Sequence, residues 1–295
     1  TSQESLSQRF LFGGLSCMAA ACVTNPIDVI KTRLQLQGEL AKKAASTTTA
    51  ATLRTINQEG VRGLYKGLAP SLLREATYST LRMGGYDMIK VYFVDKDGKT
   101  SLPSKIISGC ISGGVGACIA NPTDLIKVRM QAQSTVGGHR YTSMRQAFTD
   151  VIQKEGIRGL YKGVGPTTQR AALLTASQLA SYDQFKHSLI DHGLVPGEGL
   201  QAHVSASLLA GFVAAVVTSP VDVIKTRIMN QPFDASGHGT MYRSTLDCLT
   251  KTLQTEGLHG LYKGFIPNWL RIGPHTLVTF IFYENLRKLG GISPV

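Results

Sequence analysis

The sequence predicts an all-α membrane protein built from three similar units, each of which contributes two long helices. Two observations lead to this fold class. A motif of the form Pro-x-Asp-x-x-Lys-x-Arg begins at Pro26, Pro122 and Pro220, so its intervals are 96 and 98 residues, and a period seen three times constrains the whole architecture. Six apolar segments extend through amphipathic sequence to the length of a membrane span, at residues 11–23, 78–94, 106–120, 171–185, 208–217 and 277–286.

The composition limits the function classes. The formal net charge is +12, and a basic chain attracts nucleic acid, anionic lipid or an anionic solute equally well. The five cysteines lack close metal-ligand spacing, which argues against a disulfide scaffold and a structural zinc site. Residues 1–10 lack the pattern of a secretory signal, so we expect none. The mean hydropathy of +0.02 resembles that of a soluble protein, but helices around a wet cavity give the same value because only their outward faces must be apolar.

Two further motifs follow each proline motif. The first joins a Glu-Gly pair to a Tyr-Lys-Gly triplet, and its copies begin at Glu59, Glu155 and Glu256. The second places a tyrosine and an acid before a base, in the copies Tyr86-Asp87-x-x-Lys90, Tyr182-Asp183-x-x-Lys186 and Tyr283-Glu284-x-x-Arg287. Because the three motifs keep the same order, we place the units at residues 1–99, 100–195 and 196–295.

Each unit is predicted to contain a long helix, a loop, a short amphipathic helix and a second long helix. The long helices are predicted at residues 7–37, 70–93, 104–133, 166–189, 201–230 and 267–288, and the short ones at 51–58, 144–154 and 244–255. A proline suits the start of each second long helix. The proline of the motif instead falls inside each first long helix, where it removes a backbone hydrogen bond and favours a kink. Three kinks at one level predict that these helices converge, and small residues such as Gly109 and Gly113 allow close helix packing.

The threefold proline motif is the signature of the mitochondrial carrier family, which the chain resembles over essentially its whole length. The resemblance implies six transmembrane helices in a barrel with threefold pseudosymmetry, three short helices on the matrix side, and a multi-pass position in the mitochondrial inner membrane. It also implies a transporter and not an enzyme. We expect no catalytic residue and no metal site, since the seven histidines show no metal spacing, and we expect a monomer.

Each proline motif carries an aspartate and a lysine on one helical face, and such a pair alone stabilises a helix by only ~0.2–0.5 kcal/mol. If the three helices converge, acids and bases of different units form a ring that closes one end of a cavity. The resemblance implies the three pairs of a matrix gate, Asp28–Lys127, Asp124–Lys225 and Asp222–Lys31. It also implies that Gln35 and Gln131 brace these bridges, whereas the third unit has Met229 at that position.

The tyrosine motif predicts a mirror arrangement, a cytoplasmic gate, at the opposite end. Its implied pairs are Asp87–Lys186, Asp183–Arg287 and Glu284–Lys90. The hydroxyl groups of Tyr86, Tyr182 and Tyr283 would brace them, although the alternative for each ring is a position at the lipid interface. Two ion-pair rings provide a bistable element that opens to each side in turn, and a bound solute lowers the barrier between the two states.

Three arginines lie thirteen residues before the acids of the tyrosine motif, at Arg74, Arg170 and Arg271. The resemblance places them at the solute contact points near the membrane midplane. An unpaired guanidinium at that depth marks a functional site by default, and its planar fork holds a carboxylate as lysine cannot. The alternatives are that one or more of them pair with a carboxylate such as Glu75 or extend to the membrane interface. Five residues before the same acids lie Arg82, Gln178 and Thr279, an uneven set that suits an asymmetric solute.

Shorter stretches narrow the branch of the family. Residues 73–78, 169–182 and 271–276 look like the oxoglutarate and dicarboxylate carriers, while residues 120–124 and 267–271 equally resemble the uncoupling-protein-like carriers of brain and kidney. We therefore expect antiport of small dicarboxylates such as 2-oxoglutarate, malate and succinate. The alternative is an uncoupling-type proton or anion transporter, although the thermogenic uncoupling protein has a glutamate at the position of Gln178. Nucleotide transport is disfavoured because residues 225–230 lack the Arg-Arg-Arg-Met-Met-Met run of the ADP/ATP exchanger.

The Tyr-Lys-Gly triplets precede the second long helices. Backbone N–H groups and helix dipoles at such positions attract phosphate. We therefore predict anionic-lipid sites on the matrix surface, most simply for cardiolipin, at Gly67, Gly163 and Gly264, and we expect no other cofactor. Nucleic acid is not an expected partner, because aromatic stacking clusters are absent and the basic residues fall in the membrane motifs.

Overall fold

The computed structural model describes residues 6–37, 48–78, 102–132, 141–191, 200–232 and 239–290, and these ranges are helical with short turns. We number the helices in chain order as α1 (Leu6–Leu36), α2 (Thr48–Glu59), α3 (68–78), α4 (Leu102–Ala132), α5 (Met144–Gly159), α6 (Val164–Asp191), α7 (Leu200–Asn230), α8 (Thr245–Leu261) and α9 (Phe265–Leu289). A 3₁₀ turn at Val61–Tyr65 joins α2 to α3. The all-helical prediction is confirmed for the described residues.

The described helices agree closely with the predicted positions except at the ends of α5 and α8, while residues 79–93 of the second predicted long helix lie outside the described residues. These two helices run to Gly159 and Leu261, beyond the predicted ends at residues 154 and 255. Each contains a glycine with positive φ, Gly156 at 70° and Gly257 at 66°, where the helix changes direction. Glycine adopts this conformation without a steric penalty. The predicted ends fall two residues before these glycines, and a second helical piece follows each glycine directly.

In the described part of the chain, six helices form a ring, namely α1, α3, α4, α6, α7 and α9. Helix α1 packs against α9, and the ring continues through α7, α6 and α4. Helix α3 lies between α1 and α4, since the Ser71 hydroxyl donates to Asn25 Oδ1 of α1 and Arg74 pairs with Asp124 of α4. The short helices α2, α5 and α8 pack on α1, α4 and α7 respectively. The three first long helices therefore alternate with the three second ones around a central axis.

Among the described residues, three helices are long and apolar enough to cross a membrane by length and composition, at Leu11–Leu36, Ile106–Ala132 and Ser205–Asn230. The sequence predicts six spans, but α3 is described only to residue 78, and α6 and α9 do not meet the same measure of length and apolar character. On α4, the exposed side chains of Ile107, Ile111 and Val115 recur every four residues and form one apolar face. Such a face suits contact with lipid.

Small residues set the distance between neighbouring helices, as predicted. A methyl group added at Gly109 of α4 would meet Thr175 Cγ2 of α6 at 2.6 Å, and one added at Gly113 would meet Ala171 Cβ at 3.7 Å. Real Cβ contacts do not reach the shorter of these distances. The backbone of α4 therefore approaches α6 closely because glycine is present at Gly109.

Candidate transport site

The helices that carry the proline motif meet at one end of the ring. Lys31, Lys127 and Lys225 each donate to an aspartate of another unit at 2.7 Å, in the pairs Lys31–Asp222, Lys127–Asp28 and Lys225–Asp124. These are the pairings implied by the resemblance. Helices α1, α4 and α7 each continue through their motif proline, so the three motifs converge without a break in the helices.

Each of these aspartates also faces an arginine. Arg74 Nε contacts Asp124, Arg170 Nε contacts Asp222, and Arg271 Nε lies 3.3 Å from Asp28. The contact of Arg271 is the loosest, since its Nε–H has no hydrogen-bond partner. The prediction of unpaired guanidinium groups was wrong, because a guanidinium removed from water is strongly stabilised by a carboxylate within reach.

These side chains line a cavity of about 80 Å³. We call its charged lining the cavity floor, which consists of Lys31, Lys127, Lys225, Arg74, Arg170, Arg271, Asp28, Asp124 and Asp222. The floor therefore has six cations and three anions among the described residues. An excess of positive charge in a partly enclosed space attracts anions.

The contacts around the three ion pairs differ from one helix pair to the next. We call the contact between two helices that share one of these ion pairs a seam. In the α1–α7 seam, which contains the Lys31–Asp222 pair, Lys31 Nζ also donates to Asn268 Oδ1 at 2.8 Å, and the Thr226 hydroxyl donates to Gln35 Oε1 at 2.8 Å. In the α1–α4 seam, the Thr32 hydroxyl donates to Gln131 Oε1 at 3.0 Å. Both seams thus add a polar side-chain contact to the ion pair.

The α4–α7 seam has apolar residues at the same positions. Val128 stands where the other seams have threonine, and Met229 stands where they have glutamine. Both side chains belong to a buried apolar cluster with Leu125 and Ile126, and Met229 is fully buried. Polar or apolar character therefore matches across each seam, although the two positions lie on different helices.

The predicted glutamine braces make different contacts from those expected. Gln35 and Gln131 lie beside the ion pairs, but their amide oxygens accept from threonine hydroxyls and not from the gate lysines. The amide nitrogen of Gln131 is buried without a hydrogen-bond partner. The threonine on the neighbouring helix is the nearer donor, so it determines where each amide oxygen points.

A second set of buried ion pairs lies below the floor, and sequence reasoning assigned it no role. The last base of each proline motif pairs with the glutamate of its own unit, in the pairs Arg33–Glu59, Arg129–Glu155 and Arg227–Glu256 at 2.6–2.8 Å. The lysine of the Tyr-Lys-Gly triplet binds the same glutamate, as Lys263 binds Glu256 at 2.5 Å. The recurrence of the three residues at similar spacing was the available signal.

The same arginines join neighbouring units. The Nε atoms of Arg33, Arg129 and Arg227 donate to the backbone carbonyl groups of Gln131, Met229 and Gln35 at 3.0–3.2 Å. The side chain of Arg227 is completely buried. Since removal of one partner from a buried charge pair is strongly destabilising, these contacts fix the short helices to the ring and each unit to the next.

The glutamate of the third unit shows the electrostatic effect of this arrangement. Burial alone raises the pKa of the Glu256 carboxyl, but hydrogen bonds and charge from Arg227 and Lys263 outweigh burial and hold that pKa below its ordinary value. The pKa of Glu59 is lowered in the same way by Arg33 and Lys66. Both carboxylates are therefore ionised at neutral pH.

Of the three pairs predicted for the cytoplasmic gate, only that of Asp183 with Arg287 has both members among the described residues. Glu284 pairs with Lys288 of its own helix at 3.3 Å, and Arg287 lies over the Tyr283 ring at 5.9 Å, so the expected pair of Asp183 with Arg287 is absent there. The partners predicted for Lys186 and Glu284, which are Asp87 and Lys90, lie outside the described residues, as do Tyr86 and the candidate contact Arg82.

The other candidate contacts lie away from the floor. Gln178 is exposed and follows Arg170 by eight residues on α6, which is ~12 Å along a helix. The Thr279 hydroxyl donates to the backbone carbonyl of His275 at 2.8 Å. Neither residue lines the cavity, so any solute contact with them occurs further from the closed end.

The three glycines predicted to bind lipid have positive φ, with values of 74° at Gly67, 80° at Gly163 and 80° at Gly264. Their carbonyl groups accept the first hydrogen bonds of α3, α6 and α9. They also pack on the next unit, because a methyl group at Gly163 would meet Met229 Cγ at 2.8 Å and one at Gly264 would meet the Lys31 carbonyl oxygen at 3.1 Å. Each glycine thus starts a helix and allows a close contact between units.

A ring of helices around a charged cavity that is closed at one end by ion pairs defines a helical membrane transporter. A family model described as mitochondrial carrier protein matches residues 2–97, 98–193 and 197–292. The chain therefore belongs to the mitochondrial carrier family, whose members are transporters and not enzymes.

Several known proteins are similar over nearly the whole chain. The mitochondrial substrate carrier family protein ucpB of Dictyostelium discoideum is 62% identical over 100% of both chains. A probable mitochondrial 2-oxoglutarate/malate carrier protein of the same organism is 44% identical over 98% of this chain and 91% of its own. Mitochondrial uncoupling protein 5 of Arabidopsis thaliana is 43% identical over 95% of this chain and 96% of its own. These relatives indicate a substrate carrier of a mitochondrial membrane.

Proposed function

We propose that this chain exchanges small dicarboxylates of the 2-oxoglutarate, malate and succinate class across the mitochondrial inner membrane by alternating access. The charge of the cavity floor carries this proposal, since six cations face three anions there. A neutral or cationic solute would leave that excess unbalanced. An anion with two carboxylates provides one partner for each of two guanidinium forks.

The geometry suggests how the solute acts on the gate. Arg170 and Arg271 rest on Asp222 and Asp28, which also hold Lys31 and Lys127. A solute carboxylate that takes over a guanidinium removes one of the two cations from a gate aspartate. The interactions gained with the solute then compensate for those lost as the gate opens, which lowers the barrier between the two states.

The comparisons support this substrate class. The relative named a probable 2-oxoglutarate/malate carrier covers almost the whole chain at 44% identity. A homo-exchange experiment in liposomes tests the proposal, with labelled malate outside and a panel of dicarboxylates, sulfate and phosphate inside. We expect rapid exchange for the dicarboxylates and slower exchange for the inorganic anions, which engage one fork. Failure of every dicarboxylate would refute the proposal.

Arg170→Lys examines the fork itself. The substitution keeps the charge but loses the planar pair of donors, and a charge-assisted hydrogen bond contributes ~1.5–3 kcal/mol. We therefore expect malate exchange to fall by at least about tenfold. Exchange at the unaltered rate would show that positive charge alone is sufficient.

Uncoupling-type transport of protons or anions is the second candidate function, because one relative is named an uncoupling protein at 43% identity. Proton flux across the same liposomes, followed with an internal pH dye, separates the two functions. Proton flux without dicarboxylate exchange would favour the second candidate.

The lipid and oligomer predictions belong to the same proposal. Cardiolipin is expected to bind at the helix starts marked by Gly67, Gly163 and Gly264, where helix dipoles favour phosphate. Thermal unfolding in detergent should then shift upward with cardiolipin and not with phosphatidylcholine. An equal shift with both lipids would contradict a specific anionic site. The mass of the detergent-solubilised protein, from light scattering, should correspond to one chain.

A further inference from the structure

We propose that Glu75 sets the charge of the transported solute, because its buried carboxylate neutralises one arginine of the cavity floor and so selects dicarboxylates over tricarboxylates. This inference rests on the proposed dicarboxylate exchange and adds the residue that limits the number of carboxylates. Glu75 is a specificity-determining residue in this proposal, and it acts through Arg74 and not by contact with the solute.

Glu75 is placed to neutralise Arg74. The residue lies on α3 and is only 8% exposed, and its Oε1 accepts a hydrogen bond from Arg74 Nη1 at 2.6 Å. Arg74 Nε contacts Asp124 at the same time. One guanidinium is therefore shared by two carboxylates, one of which already holds Lys225.

The other two arginines lack a second acid. The residues that follow them are Ala171 and Ile272, and each guanidinium has one carboxylate partner among the described residues, Asp222 for Arg170 and Asp28 for Arg271. The positive charge on the sides of the second and third units is thus less balanced than that on the side of the first. This asymmetry interrupts the threefold pattern at the level where the solute binds.

The charges of the floor then match a dianion. Its six cations and three aspartates leave a charge of +3, which Glu75 lowers to +2. Two solute carboxylates balance this charge. A third carboxylate would be an uncompensated anion in a partly enclosed, poorly solvated site, where an unpaired charge is costly.

The test uses purified full-length protein in liposomes at a pH of about 8, where an ordinary histidine such as His275 is neutral. Uptake of labelled malate and of labelled tricarballylate, a tricarboxylate, is measured in the same preparation. Their ratio does not depend on the amount of active protein. Glu75→Gln keeps the shape of the side chain, removes its charge, and should raise the ratio of tricarballylate to malate uptake by about tenfold.

Two variants provide controls. Glu75→Asp keeps the negative charge and should keep the ratio of the unaltered protein. Asp150→Asn removes a charge that pairs with Lys154 on the surface of α5 and should also leave the ratio unchanged. An unchanged ratio in Glu75→Gln, with malate uptake intact, would overturn the inference and leave the proposed function standing.

A measurement on the unaltered protein keeps the inference testable if Glu75→Gln does not fold. Tricarballylate and its monoamide have nearly the same size and differ by one charge. The monoamide, a dianion, should be taken up about tenfold faster, and equal uptake of the two would overturn the inference. Absence of malate exchange in the unaltered protein would instead refute the proposed function on which the inference rests.

Discussion

The α1–α7 seam and the α4–α7 seam contain the same ion pair but hold it differently. In the α1–α7 seam, Lys31 has a second acceptor in Asn268, and a hydrogen bond joins Gln35 to Thr226. In the α4–α7 seam, Lys225 has Asp124, and the flanking contact is apolar. Hydrogen bonds fix both distance and direction, whereas apolar contacts depend mainly on the area removed from water. The three seams of the closed end therefore carry the same arrangement of charges but are not held together equally strongly.

The largest expected effect comes from breaking one of the three gate ion pairs, since each seam contains such a pair. Asp28→Asn leaves Lys127 and Arg271 without their carboxylate, and loss of one partner of a buried pair costs ~3–5 kcal/mol. Malate exchange should fall severely. Reversal of both charges, with Asp28→Lys and Lys127→Asp, should restore exchange only in part, because the new lysine would face Arg271 at the position of Asp28.

Malate exchange rates of Asp28→Lys, of Lys127→Asp and of the double variant decide this prediction. If the losses simply add, Asp28 and Lys127 do not interact during transport. The same cycle in the other two seams would then show whether the three pairs contribute equally.

The second prediction removes the feature unique to the α1–α7 seam. Asn268→Leu deletes the second acceptor of Lys31, and a hydrogen bond to a charged group contributes ~1.5–3 kcal/mol. The matched control is Thr167→Val on α6, since the Thr167 hydroxyl bonds only within its helix, to the Gly163 carbonyl. Thermal unfolding in detergent should shift downward clearly for the first variant and little for the second. Equal shifts would show that Asn268 does not stabilise this seam specifically.

The third prediction converts one seam into the other. Thr226→Val alone leaves Gln35 buried without its donor, which costs ~1–3 kcal/mol. Adding Gln35→Met replaces both polar groups and should recover most of that loss, as in the natural Val128 and Met229 contact. A double variant less stable than Thr226→Val would contradict the matching of the two positions.

The fourth prediction gives the α4–α7 seam the polar contact that the other two seams have. Met229→Gln alone should destabilise the protein, because it places an amide in the apolar cluster around Val128. Together with Val128→Thr it should form a third threonine–glutamine contact and slow malate exchange by stabilising the closed end. Faster exchange in this double variant would show that the α4–α7 seam does not limit opening.

A change of pH without any substitution has the smallest expected effect near neutral pH, and it tests the ion pairs below the floor. Because the folded-state pKa of Glu256 is lowered, its contribution to stability is complete above its unfolded pKa of about 4.3 and is lost as the pH falls through the folded value. The unfolding temperature should therefore be flat near neutral pH and fall in acid. Glu256→Gln should lower the plateau and reduce the acid slope, and an unaltered slope would contradict the role of this carboxyl.

Repetition explains what the sequence could predict. Motifs present three times predicted the long helices and their convergence, and the family resemblance that those motifs carry implied the partners of Asp28, Asp124 and Asp222. The spacing of Gly109 and Gly113 likewise predicted close packing, which the contacts with Thr175 and Ala171 confirm. The long helices, their convergence and this close packing follow from patterns along the chain, so one sequence is sufficient to find them, whereas the gate pairings needed the family resemblance.

Features that depend on side-chain direction across helices were not predictable in this way. The contact of each arginine with a gate aspartate, and the choice of threonine as the partner of Gln35 and Gln131, depend on how neighbouring helices are rotated. Asn268 and Glu75 occur once and have no counterpart in the other units. Repetition therefore cannot reveal them, although they are where the three seams and the three arginines become unequal.

The closure of the ring has a consequence for chain connectivity. Arg227 of the last unit donates to the Gln35 carbonyl of the first, as Arg33 and Arg129 do between consecutive units. The position of Gly290 beside the Phe12 ring brings the two ends of the described chain together. A circularly permuted chain that joins the natural termini with a flexible linker and begins between the first and second units would keep every one of these contacts. The order in which the units are synthesised is thus separable from the order in which they surround the cavity.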